Sequence, residues 1–84
     1  MRNKAKQNLT MDQSAIYQIK VPGHLDESWS DGTREMTITI GSDEDGTPIT
    51  TLTGSFDQAA LLGLLRRLYS LGLPLISVIC LEVV

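Results

Sequence analysis

Three stretches of the chain alternate apolar and polar residues with a period of two, one repeats with the period of a helix, and a last one is apolar at nearly every position. In Ile16–Leu25 (IYQIKVPGHL), Tyr17, Ile19, Val21 and Leu25 fall on one face, with Gln18, Lys20 and His24 on the other. That alternation predicts a half-buried strand. Pro22 removes a ladder donor and Gly23 loosens the backbone, so the strand is expected to bend or fray there, with His24 on the wet side. Glu35–Gly41 predicts a second strand, with Met36, Ile38 and Ile40 inward and Thr37 and Thr39 outward. Thr47–Gly54 (TPITTLTG) predicts a third, joined to the second by the SDEDG hairpin. Because Ile49 and Leu52 have opposite parity, this strand either holds a bulge or offers a residue to each face. In the last strand, Leu75–Val83, the alternation puts Leu75, Ile79, Leu81 and Val83 on one side and Ile76, Val78, Cys80 and Val84 largely on the other.

The helical stretch, SFDQAALLGLLRRLYSLGLP, carries its own start and stop signals. Asp57 is a good N-cap at the positive end of the helix dipole, and Phe56 with Leu61 has the spacing of a hydrophobic staple. Ser55 with Gln58 offers a rival capping box. At the far end Gly72 suits the left-handed residue after the cap, Leu73 can fold back on Leu68, and Pro74 forbids continuation. Leu61, Leu62, Leu64, Leu65, Leu68, Tyr69 and Leu71 cover an arc of roughly half the helix, wider than the ~100° stripe that one sheet needs. Ala59 and Gly63 lie on the remaining half, where they could let another backbone pack closely, although an exposed, tolerated glycine is the plainer reading.

Three strands, a helix and a strand predict an α+β fold, βββαβ, with a four-stranded, mainly antiparallel sheet and one helix packed on one face. A meander followed by a right-handed crossover gives the expected order 3-2-1-4, with the last strand parallel to the first. That strand is then an apolar edge, blunted only by Glu82, and such an edge is a template for another strand. A homo-oligomer, in the simplest case a dimer using the last strand, the broad helix face or both, is the expectation.

Composition adjusts this picture. The 84 residues make one domain at 15–84 with a small core, preceded by a flexible leader expected at 1–14, which has few large apolar residues and no period. One cysteine excludes an internal disulfide, and no apolar h-region follows the basic start, so a cytoplasmic protein is expected. The longest apolar run is too short to span a bilayer. A net charge of −3, with three of the seven Lys and Arg in the leader, argues against nucleic acid as a partner.

The candidate chemistries are thin. His24, Asp26 and the scattered serines contain the letters of a triad, yet no nucleophile elbow accompanies them. Asp43, Glu44, Asp45 and Gly46 suggest a calcium loop, but alignment on Gly46 puts Gly41 at the first ligand position and Leu52 at the bidentate one. A turn with Asp45–Gly46 is the better reading. Trp29 in the loop Asp26–Arg34 is either a lid on the core or an exposed anchor for a partner, and Cys80 reads as a small buried hydrophobe. No phosphate loop, dinucleotide glycine pattern or metal spacing is present, so neither cofactor nor metal is expected.

YQIKVPGHLD with Trp29, then MTIT, the DGT of the hairpin, LTG, and DQAALLGLLRRL followed by LGLPLISV resemble a family of small uncharacterised prokaryotic proteins over Tyr17–Val78. Asp31, Gly32, Thr33 and Arg34 stand where that family tends to have a second aromatic pair. The resemblance implies a common fold and no established activity. The residues themselves point to a non-enzymatic, self-associating module that presents a surface to a protein partner, with Trp29, Ala59, Gly63, Ile76, Val78 and Cys80 as its candidate surface. A small-ligand sensor, binding at the dimer interface or under the Asp26–Arg34 loop, is the alternative, and an enzyme using His24, Asp26 and Cys80 ranks third.

Overall fold

The computed structural model describes residues 9–25 and 36–83. Its elements are β1 (Ala15–Pro22), β2 (Met36–Ser42), β3 (Pro48–Phe56), α1 (Gln58–Ser70) and β4 (Ser77–Val83). The strands form one antiparallel sheet with one helix, the α+β arrangement that the periodicities predict.

The order is β2-β3-β1-β4, which corrects the expected 3-2-1-4. The β2–β3 hairpin forms as predicted, but β1 pairs with β3 and β4 and does not touch β2. The reason lies in the connections and in burial. The short turn at 43–47 obliges β2 and β3 to be neighbours, whereas the longer connection at 23–35 imposes no adjacency on β1 and β2. β1 and β3 carry the deepest apolar rows, and pairing them at the centre buries both. β4 consequently runs antiparallel to β1, not parallel to it, while remaining parallel to β3 across it.

On the helix side of the sheet Ala15, Tyr17, Ile19 and Val21 of β1 face Phe56, Gly54, Leu52 and Thr50 of β3 in register. Leu61, Leu64 and Leu68, at i, i+3 and i+7 of α1, close over them. The parity of β3 is thus settled without a bulge: its even-numbered residues point inward, and Ile49 goes to the open face. Half of the broad apolar arc of α1 is spent on this contact, and Leu62, Tyr69 and Leu71 stay exposed.

Local signals behave as their chemistry requires. The Asp57 carboxylate accepts the Ala60 N–H at 2.8 Å, and the rival capping box is absent because Gln58 turns to β1 instead. At the other end Gly72 takes φ +78°, and the Leu73 N–H reaches the Leu68 carbonyl at 3.1 Å, closing a Schellman-type end. In the hairpin the Asp43 carboxylate accepts the N–H groups of Asp45 and Thr47, both at 2.9 Å, and Gly46 takes φ +82°. These acidic residues therefore form a self-satisfied turn. Within residues 9–14, Leu9 packs on the core and the Gln58 N–H lies near the Met11 carbonyl, while Thr10, Met11 and Asp12 are exposed.

Gly63 has open space where a Cβ would stand, so among the described residues no other element's backbone approaches it. Gly63→Ala is accordingly expected to stabilise the domain by about 0.5–1 kcal/mol, read as a raised urea midpoint at unchanged slope.

Candidate functional site

β4 is the edge of the sheet with the most exposed apolar residues, and the cause is its sequence. SVICLEV is apolar at five of seven positions, with Ser77 and Glu82 the exceptions. β1 occupies one side of the strand, and no described strand pairs with the other. Ile76, Val78, Ile79 and Leu81 are 51%, 38%, 45% and 50% exposed, and Leu75 just before them is 46% exposed. The opposite edge of the sheet, β2, differs in kind. There Met36 and Ile38 pack toward the core, Ile40 is the one large hydrophobic left exposed, at 43%, and the open face shows Thr37, Thr39 and Gly41.

A register shift complicates the alternation. Tyr17 pairs with Cys80 but Ile16 pairs with Glu82, so Leu81 is an extra residue on β4. Val78 and Cys80 share the helix side with Ile19 and Tyr17, while Ser77 and Ile79 share the open side with Lys20 and Gln18. Beyond the bulge the parity inverts. Val83 sits opposite Ala15 on the helix side and packs on the core, which corrects its predicted grouping with Ile79. Upstream of β4 the Ile76 N–H donates to the Lys20 carbonyl at 2.8 Å, and Ile76 rims a shallow depression of about 380 Å³ on the open face.

Of the candidate surface residues, the structure brings Ile76, Val78 and Cys80 together on this edge, with Cys80 half-buried. Ala59 and Gly63 are not part of it and instead line a separate open groove of about 560 Å³ with Leu62, Arg66 and the turn at Met11 and Asp12. Trp29 and the loop Asp26–Arg34 lie outside the described residues. His24 is exposed, and its supposed partner Asp26 also lies outside them. Among the described residues no group of three or more His, Cys, Asp or Glu could hold a metal ion, and no helix is long and apolar enough to cross a membrane.

Behind the edge lies a polar pair that alternation does not reveal. The Tyr17 hydroxyl, on a residue only 4% exposed, accepts a hydrogen bond from Gln58 Nε2 at 2.6 Å, tying β1 to the first turn of α1. Burial raises the Tyr17 pKa, the neighbouring Cys80 raises it further, and the Gln58 hydrogen bond opposes both. A folded-state pKa above the unfolded one means that the native chain holds its proton longer, so this contribution is complete below pH ~10 and is lost as pH rises beyond it. Thermal melts from pH 8 to 11 are expected to show stability falling above pH ~10, with a shallower fall in Tyr17→Phe.

The comparisons with known proteins come down to the family alone. No curated protein and no solved structure matches the chain. The sequence matches DUF8691, a domain of unknown function, over residues 16–79, which is about three-quarters of its length, and the chain belongs to that family.

Proposed function

We propose that this chain is a non-enzymatic interaction module that works by associating with itself, leaving its other surfaces for a protein partner. One observation carries the reading: β4 is an edge strand that leaves Val78 on the helix side 38% exposed, Ile79 on the open side 45% exposed and the bulged Leu81 50% exposed. Edge strands that stay solitary are usually blunted by lysine, proline or inward-pointing charge, and β4 carries only Glu82.

The magnitudes favour a modest affinity. Completing the burial of a half-exposed Leu, Ile or Val contributes about 1 kcal/mol. Five such residues on each of two copies therefore supply at most about 10 kcal/mol, against an association cost of about 4–15 kcal/mol. The backbone hydrogen bonds of a new ladder add to the favourable side. Self-association of this strength depends on concentration, so absolute mass by light scattering should be read over a dilution series in reducing buffer. A mass rising from one chain toward two across the micromolar range is expected. A single-chain mass throughout would overturn the proposal.

A further inference from the structure

Resting on that reading, we infer that two chains join β4 to β4 in antiparallel fashion, about a twofold axis perpendicular to the sheet. The result is a continuous eight-stranded sheet with both helices on the same side. The two edges differ in exposed apolar residues: β2 exposes Ile40 and shows threonines on its open face, whereas β4 exposes Val78, Ile79 and Leu81. A twofold axis normal to the sheet keeps each face with its like, so Val78 and Cys80 meet their counterparts on the helix side and Ile79 meets its own on the open side.

Charge selects the direction. Glu82 is the one charged residue of β4, and it stands near the end of the strand. Antiparallel pairing sends the two copies of Glu82 to opposite ends of the ladder and leaves its middle apolar. Parallel pairing in register would place one carboxylate beside the other, which is unfavourable. The bulge selects the register. Leu81 breaks the regular spacing, so the even part of the strand is Ser77–Cys80, and the axis passes at Val78 or Ile79. With ~3.4 Å per residue and ~4.8 Å between strands, the two Cys80 Cα atoms stand about 8 Å apart for an axis at Ile79 and about 14 Å apart for one at Val78, within the span of a bismaleimide and its two cysteine side chains.

Cys80 is the only cysteine in the sequence, so the native chain reports on its own geometry. The test treats the full chain at the concentration of its dimer with a short bismaleimide, alongside light scattering and circular dichroism. Cys80-to-Cys80 cross-linking of most of the dimer is expected. A control chain with Cys80→Ser and Thr39→Cys, which moves the thiol to the far edge, should not cross-link. Ile79→Lys keeps the fold, since that side chain is already 45% exposed, and sets two cations beside the axis. It is expected to weaken the dimer at least about tenfold, as like charges on facing strands do. A dimer that Cys80 fails to cross-link, or that tolerates Ile79→Lys, would overturn this geometry and leave self-association standing. A single-chain mass at every concentration would overturn both.

Discussion

Phe56→Ala is expected to lower the unfolding free energy by about 3–5 kcal/mol, a loss comparable to the whole stability of a domain this small. Phe56 is 1% exposed and is the largest of the fully buried side chains among the described residues. It ends β3 opposite Ala15, and the next residue, Asp57, caps α1. Its ring therefore packs where sheet and helix meet, in one cluster with Leu61 and Leu64. Truncation removes the transfer free energy of the ring and leaves a void that the rigid strand on one side and the capped helix on the other cannot close. Urea titration followed by circular dichroism checks it, with Phe56→Leu as the milder companion whose loss should be less than half as large. A shift below about 1 kcal/mol for Phe56→Ala would mean that the core around the ring collapses freely, contrary to its packing.

Thr50→Val should cost about 2–4 kcal/mol although it changes shape hardly at all. Thr50 is completely buried, and its hydroxyl does two jobs. It donates to the Gly23 carbonyl at 2.7 Å and accepts the Leu25 N–H at 3.1 Å. Together with the Gly23 N–H on the Pro48 carbonyl at 2.8 Å, this fastens the chain leaving β1 to the start of β3. Valine fills the same space and satisfies neither backbone group, at about 1–3 kcal/mol for each orphan left away from water. Thr50→Ser keeps the hydroxyl and should retain most of the stability. Amide exchange at Leu25 separates this cause from a general loosening: it should accelerate in Thr50→Val well before global unfolding and stay slow in Thr50→Ser.

The readable parts of this fold are those in which the signal and the structure lie within a few residues of each other. Tyr17, Ile19 and Val21 announce the inner row of β1, Asp57 and Gly72 announce the ends of α1, and Asp43 to Gly46 announce the hairpin. Strand order is a different kind of fact. Nothing in residues 23–35 states which neighbour β2 should choose, and the preference for β3 beside β1 emerges only when two buried rows compete for the middle of one sheet. The bulge at Leu81 was equally silent, because in a strand apolar at almost every position a change of parity leaves no trace in the hydrophobic pattern. The candidate edge was half legible for the same reason. Alternation names Ile76, Val78 and Cys80 as a candidate surface and sets Ile79 and Leu81 on the opposite side, yet those two are also about half exposed. Thr50 looked like any β-branched strand residue. Its one clue was position, in an even-numbered row shared with Leu52 and Phe56.

The placement of β1 between β3 and β4 has a consequence for how the protein is made. A ribosome delivers the central strand before either of its neighbours, and β4 comes after all the other elements. Until β4 is released, β1 has an open flank and the growing sheet cannot close, so the long-range pairings that define the domain form late and together. A chain stalled or clipped before residue 77 would present Tyr17 and Ile19 along a bare edge, the condition under which nascent strands find the wrong partner.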